Sequence, residues 1–243
     1  MELKQQNIFF ITLLENEMRL KNVQNIKDKY IPKSNIFEAI SKKKLSDEQL
    51  NKYIKKGFLT KKYIERVKRN QGNNIGGIGC TLSHMTLWYN LVESKNDYYI
   101  IMEDDADIKP TFLKDLAKIF DEINNNSIKL DYLTFFIHPH FEKKQNIFQK
   151  SIKENYKLIS KCIPMYGAVG YLITRKGAKK ILKYLKDKDN IRESDTILYN
   201  MIQSNLLKGF CANKKILNTL GAIGKKDFLL GNSKFGSTIW KKN

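Results

Sequence analysis

Short apolar runs, separated by stretches with helical spacing, restrict this chain to few architectures. IFFITLL (8–14), YYIIM (98–102), YLTFFI (132–137) and AVGYLI (168–173) are each long enough for a buried strand and too short for a buried helix. A helix is expected over 15–24, directly after the first run. Leu82, Met85, Leu87, Trp88 and Leu91 share one helical face ahead of the second run. Leu113, Leu116, Ala117, Phe120 and Ile123 repeat at helical intervals after it, and Ala178, Ile181, Leu182 and Leu185 do so after the fourth. Strands alternating with helices predict an α/β fold with a mostly parallel central sheet flanked by helices. No repeat or linker divides the 243 residues, so one domain over 1–243 is expected, and a hydrophobic share of 42% can fill its core. Residues 36–40 form a short apolar piece, and a lysine-rich stretch at 42–69, with helical spacing at Leu50, Tyr53, Ile54 and Phe58, reads as a solvated helical surface. NQGNNIGGIG (70–79) reads as a loop, with Thr81 or Ser83 capping the next helix.

The second run ends in acid. YYIIMEDDADI places Glu103, Asp104, Asp105 and Asp107 where a buried strand should stop. Ligands of open α/β sheets bind beyond the carboxyl ends of the strands. Clustered carboxylates repel one another unless a cation sits among them, and hard oxygen ligands suit Mn²⁺ or Mg²⁺, which complete their shells with substrate phosphates. The plainer reading is an acidic turn, with Asp104 capping it and Asp107 solvated ahead of Pro110. An EF-hand is excluded, because the central glycine and the glutamate at the twelfth position are missing.

The rest of the chain is basic. Forty-four lysines and arginines against 25 acidic residues give a formal charge of +19, which favours anionic partners. Only five of the cations are arginines (Arg19, Arg66, Arg69, Arg175 and Arg192), whereas dedicated nucleic-acid readers favour the arginine fork. Cys80, Cys162 and Cys211 form no CxxC pair, so neither a zinc site nor a disulfide framework is indicated. The first apolar run is followed by Glu15 and Glu17 and has no small-residue cleavage site, so it reads as a strand and not a signal peptide. A cytoplasmic protein is expected, with room for a charge-driven contact with the anionic inner membrane.

GGIGCTLSHMTLWYNLVESKNDYYIIMEDDADI (76–108) resembles the defining block of glycosyltransferase family 25, which includes bacterial lipooligosaccharide galactosyltransferases and their collagen-modifying relatives. It pairs a G-x-x-G-C-x-x-S-H helix start with a strand ending in EDD. IFFITLLENEMRLKN (8–22), NIFEAISKKKLS (35–46), YGAVGYLITRKGAKKIL (166–182), Ser194–Asp195 and FGSTI (235–239) resemble further family segments in the same order. The resemblance implies a GT-A fold of Rossmann-like type, with a nucleotide-sugar half (1–130) and an acceptor half (131–243). It implies a UDP-sugar donor with galactose favoured, a glycan or lipid-linked acceptor, a divalent metal, and inversion at the anomeric carbon.

The resemblance also implies roles. Asp105 becomes the principal metal ligand in an E-x-D frame, with Glu103 helping through metal or ribose, and Asp107 opens a second frame. Thr12, Arg19, Ser83, His84, Glu103 and Asp104 fall to the donor. Thr12 departs from the family pattern, which has asparagine there. Ser83 and His84 are expected in the first turn of a helix, where anions are favoured. Arg19 has phosphate or Glu15 as its candidate partner. Asp195 is the expected general base and Glu193 the alternative; a polar helix start with Ser194 or Asp195 as cap is the plainer reading. Cys80, Tyr166, Tyr171, Trp88 and Trp240 are expected to pack in the core, and His138-Pro139-His140 to form a loop at a strand end. Two other functions remain open at this point. A nucleic-acid-binding protein would explain the charge but not the acid, and a metal-dependent phosphohydrolase would explain the acid without a sugar nucleotide.

Overall fold

A computed structural model of the chain describes residues 1–70, 75–151 and 156–221. FGSTI (235–239), Trp240 and most of the NQGNN stretch lie outside the described residues.

Nine strands are present among them: β1 (Ile8–Thr12), β2 (Asn35–Glu38), β3 (Tyr98–Glu103), β4 (Ala106–Ile108), β5 (Tyr132–Thr134), β6 (Ile159–Lys161), β7 (Gly170–Thr174), β8 (Gly209–Ala212) and β9 (Leu217–Thr219). Seven of them form one sheet in the order β2-β1-β3-β7-β5-β8-β6, and β4 pairs with β9 beside it. β2, β1, β3, β5 and β8 run one way; β7 and β6 run the other. The sheet is therefore mixed and mostly parallel, as expected for a GT-A type Rossmann-like fold.

Eight α-helices accompany the strands among the described residues: α1 (Glu17–Tyr30), α2 (Asp47–Lys55), α3 (Lys61–Asn70), α4 (Gly76–Glu93), α5 (Phe112–Asn125), α6 (Pro139–Ser151), α7 (Arg175–Tyr184) and α8 (Ser194–Gln203). The two-residue period of the strands sends alternate side chains to opposite faces. Ile8, Phe10, Ile100, Met102 and Leu172 pack on one side with Val23 and Ile26 of α1 and Phe112, Leu116 and Ile119 of α5. Ile11, Tyr99, Ile101, Tyr171 and Ile173 pack on the other with Leu82 and Trp88 of α4, Ile181 of α7 and Ile197 of α8. Both faces are covered, and this explains why the strands read as nearly continuous apolar runs.

The glycine-rich stretch departs from expectation. α4 begins at Gly76, so Gly76, Gly77 and Gly79 are helical, and Thr81 and Ser83 lie buried inside the helix and cap nothing. The physical reason is a close approach. A Cβ on Gly79 would collide with the carbonyl oxygen of Ile40, and the Ile40 N–H donates to Ser83 Oγ at 2.8 Å. The bare backbone of α4 is thus the bed for the segment after β2. Gly79→Ala is expected to lower Tm by several degrees. The helix-propensity gain of ~1 kcal/mol loses to a forced backbone shift of about 1–3 kcal/mol. Thermal denaturation followed by circular dichroism measures the sign; a rise in Tm would refute the close approach.

The lysine-rich stretch also differs in detail, since Phe58 and Leu59 separate α2 from α3. His138-Pro139-His140 is not a loop: Pro139 opens α6, where a missing N–H costs nothing.

Candidate functional site

β1 and β3 are parallel neighbours, with Ile11 opposite Glu103, and both end at the same edge of the sheet. β2 lies on one side of β1 and β3 on the other, so the connections leave in opposite directions and open a crevice there. The acidic residues emerge at this edge. Asp104 and Asp105 are largely buried, and Glu103 is half-buried. Asp107 is separated from them: it is exposed on β4, between the buried Ala106 and Ile108.

Among the described residues, one side chain of the Lys and Arg set reaches Asp104 and Asp105, and it is an arginine. Arg19, in the first turn of α1, donates from Nη1 to Asp104 Oδ1, and the same nitrogen lies 4.0 Å from Asp105 Oδ2. Glu15, the alternative partner for Arg19, instead accepts from the Ser41 hydroxyl at 2.5 Å. Asn22 Nδ2 donates to the backbone oxygens of Asp104 (3.0 Å) and Ala106 (3.3 Å) and fixes the turn. Thr12, fully buried, sits beside Asp104. Burial raises the Asp104 pKa, and the Arg19 charge opposes that rise.

Asp105 has less support. Burial, then the negative charge of Glu103, push its carboxyl up to about 7, with Arg19 opposing and Asp104 adding to the rise. Its Oδ1 is buried and has no hydrogen-bond partner among the described residues. The Leu220 N–H donates to its backbone oxygen at 2.8 Å, and Gly221 lies so close that a Cβ there would strike Oδ2. A buried carboxylate oxygen without a donor, among other carboxylates, fits a hard divalent cation. Asp105 and Glu103 are the residues that could hold one.

Glu103 is oriented from behind. Trp88 Nε1 can only donate, and it donates to the Tyr171 hydroxyl at 2.9 Å. That hydroxyl lies 2.9 Å from His84 Nδ1, which accepts from it when Nε2 donates to the Glu103 carboxylate. The chain of bonds assigns the Nε2–H tautomer to His84, which donates to Glu103 Oε1 at 3.3 Å. All three supporting side chains are fully buried. Among the described residues, Cys80, His84 and Glu103 bring three potential ligand atoms within 4.8 Å of one another. The relay gives a different account of the trio. Nε2 carries a proton, and the Cys80 thiol is pushed well up by burial and then by Glu103 and Asp195, so it stays protonated.

His84 and Ser83 lie two turns into α4, away from its N-terminus, so the anion-binding argument for a first helical turn does not apply to them. Ser83 Oγ donates to the Gly79 carbonyl at 2.7 Å while accepting from Ile40, and is committed to the backbone.

The start of α8 lies close to Glu103: Cys80 Sγ is 4.0 Å from Glu103 Oε1 and 4.0 Å from Ser194 Oγ. Glu193 occupies its cap position without a side-chain cap bond, so neither Ser194 nor Asp195 is the cap. Asp195 Oδ1 accepts from the Thr196 N–H at 2.7 Å. Burial, then the charge of Glu103, raise its pKa, opposed by the Thr196 and Gly167 N–H groups. Glu193, by contrast, is held by Arg66 Nη2 of α3 at 2.9 Å. Sequence reasoning gave no role to Arg66 or to Gly221. The scarcity of arginine pointed towards Arg66, whereas no pattern marks Gly221.

The aromatics divide. Trp88 and Tyr171 are core residues, as expected, but Tyr166 is 41% exposed. It stacks on Tyr199 of α8, so its ring belongs to the surface beside Asp195 and not to the core.

A family model described as glycosyltransferase family 25 (LPS biosynthesis protein) matches residues 5–198. The chain is 26% identical over 186 residues to a Haemophilus influenzae protein named as a glycosyltransferase, covering 75% of this chain and 59% of that one. It is 27% identical over 132 residues to the lipooligosaccharide biosynthesis protein lex-1 of the same species, covering 52% and 43%. It is 25% identical over 181 residues to procollagen galactosyltransferase 2 of Homo sapiens, covering 68% and 27%. The chain thus spans less than two thirds of the length of each of these relatives. Among the described residues no helix is long and apolar enough to cross a membrane.

Proposed function

The chain belongs to glycosyltransferase family 25, and from that premise we propose that it moves a hexose, galactose first among the candidates, from a UDP-sugar to a hydroxyl of a glycan acceptor. The observation that carries this reading is the pairing of two unlike acidic sites in one crevice. Asp105 has a buried oxygen without a hydrogen-bond donor among the described residues, and Asp195, whose pKa is raised by burial and then by Glu103, stands at the start of α8, which Cys80 links to Glu103. The names of the relatives favour galactose as the sugar and lipooligosaccharide as the acceptor class.

In the proposed reaction Asp195 accepts the proton of the acceptor hydroxyl as its oxygen attacks the anomeric carbon. The bond from that carbon to the diphosphate oxygen breaks, and UDP departs with the electron pair; one bond forms, one breaks, and configuration inverts. When bound at Asp105 and Glu103, a divalent cation supplies charge neutralisation to the leaving diphosphate. Arg19 holds Asp104 in place and leaves Asp105 to the cation. The relay Trp88–Tyr171–His84 keeps Glu103 in one orientation, so little reorganisation is needed as charge develops. The exposed lysines give a surface suited to an anionic, lipid-linked acceptor.

Thermal denaturation with UDP or UDP-galactose, each with Mn²⁺ and with chelator, tests the reading. At a hundredfold excess over Kd, a ligand that binds only the folded state adds ~2.7 kcal/mol, roughly 5–10 °C for a chain of this size. The expected rise requires nucleotide and metal together. A folded protein with no rise under any of these conditions refutes the reading.

A further inference from the structure

We propose that Tyr166 and Tyr199 form the platform on which a pyranose ring of the acceptor glycan rests; the assignment of that sugar as an acceptor rests on the transferase reading above. The two rings are stacked, with centroids 4.6 Å apart and planes 7° from parallel. Phe141 of α6 meets Tyr166 at 5.9 Å and 67°, fixing the stack from a third direction. Tyr166 nonetheless stays exposed, whereas Trp88, Tyr132 and Tyr171 are buried. An aromatic held rigidly at the surface by other aromatics is a preorganised apolar contact that the core does not use.

Three features tie this platform to the reacting groups. Tyr199 follows Asp195 by four residues on α8, so both side chains lie on one face of that helix. Tyr166 immediately precedes Gly167, whose backbone lowers the Asp195 pKa and so stands near that carboxylate. Gly167 has φ +102°, a conformation L side chains rarely adopt, and a Cβ there would press on the Phe136 ring at 3.0 Å, so the backbone next to Tyr166 is held for glycine alone. A pyranose has an apolar C–H face and a rim of hydroxyls. Laid on the Tyr166–Tyr199 stack, it presents that rim towards the carboxylate proposed as base. A flat aromatic surface beside one carboxylate suits a neutral sugar, while a nucleotide diphosphate would meet Asp195 as a like charge.

Saturation-transfer NMR with methyl β-D-galactopyranoside, methyl β-D-glucopyranoside and methyl N-acetyl-β-D-glucosaminide reads the contact directly. It is run beside the nucleotide-dependent Tm shift on the same samples. In the unaltered protein the C–H protons of one face of at least one glycoside are expected to saturate. Tyr166→Ala and Tyr199→Ala should each reduce that signal at least about fivefold, Tyr166→Phe should keep it, and the nucleotide-dependent Tm shift should persist in all three. A signal undiminished in Tyr166→Ala, or no signal from any of the glycosides in folded protein, overturns the platform. A Tyr166-dependent sugar signal without any nucleotide-dependent Tm shift keeps the platform and refutes the transferase reading instead. Should both alanine variants misfold, Tyr199→Leu, which keeps bulk and removes the stack, decides in the same way.

Discussion

Asp105→Asn is expected to abolish sugar transfer and, in the same molecule, to raise the melting temperature of the metal-free protein. The first effect follows from the loss of a charged ligand at the site proposed for the cation. Metal stabilisation of a leaving group is worth several kcal/mol, so a drop of about 10³-fold or more is expected in kcat/KM. The Mn²⁺-dependent part of the nucleotide Tm shift should vanish with it. The second effect has the opposite sign because the ionised carboxylate strains the empty fold. The Asp105 carboxyl titrates at about 7 in the folded chain against an ordinary 3.8, owing to burial and then to Glu103, with Asp104 adding to the rise and Arg19 opposing it.

The direction of the pH dependence follows. The unfolded chain releases this proton near pH 4, while the folded chain keeps it until about 7. Between those values the folded state binds more protons, so stability falls as pH rises and the full cost is reached above about 7. Asparagine removes that cost and keeps the shape. Shifting a carboxyl this far corresponds to roughly 4 kcal/mol, of which a buried amide recovers a part, about 1–2 kcal/mol or roughly 2–8 °C at pH 8. The gap in Tm between variant and parent should close as pH falls to 5. A variant that is less stable at pH 8 in chelator, or a gap independent of pH, would contradict the burial of this charge.

Asp195→Asn should leave donor binding intact and remove transfer. A positioned general base contributes typically 10²–10⁴-fold, and the loss should appear in kcat. The nucleotide Tm shift should match that of the parent, because Asp195 is not among the residues proposed to hold the cation. The parent's activity should rise with pH through an apparent pKa above the ordinary carboxylate value, as burial and Glu103 direct, and this limb should disappear in the variant. Glu193→Gln is the comparison. Its carboxylate is already occupied by Arg66, so a far smaller loss is expected. If Glu193→Gln is the damaging change and Asp195→Asn is mild, the two assignments must be exchanged.

How much of this could be read beforehand depended on the range of the interaction. The apolar runs at 8–14 and 98–102 became β1 and β3, because strands buried on both faces need continuous apolarity. The acid fell at a strand end for the same reason. β4, β6, β8 and β9 escaped notice: ADI, ISK, GFCA and LNT are three or four residues long and carry no period to detect. The start of α4 was misread because glycine speaks first of loops, while Gly79 is glycine on account of the Ile40 carbonyl, a contact between distant segments. The Arg19–Asp104 bond joins residues 85 apart in sequence, and no local spacing could announce it. Tyr166 was expected in the core, yet it stacks on Tyr199 at the surface, a contact between distant segments that no local pattern shows.

β7 runs against β3, and this has a consequence for how far a sugar must travel. The last residue of β3 and the entry to β7 share a rung: the Glu103 N–H donates to the Val169 oxygen at 2.9 Å. Outgoing acid and incoming aromatic segment are therefore neighbours on one ladder, although the chain between them runs through α5, β5 and α6. The rise of a strand is ~3.3 Å per residue, so a two-residue slip of β7 would carry Tyr166 about 7 Å along β3. In the proposed reaction the distance between donor and acceptor sugars would thus be ruled by main-chain rungs, as a fixed gauge, while the side chains on either bank remain free to choose what crosses.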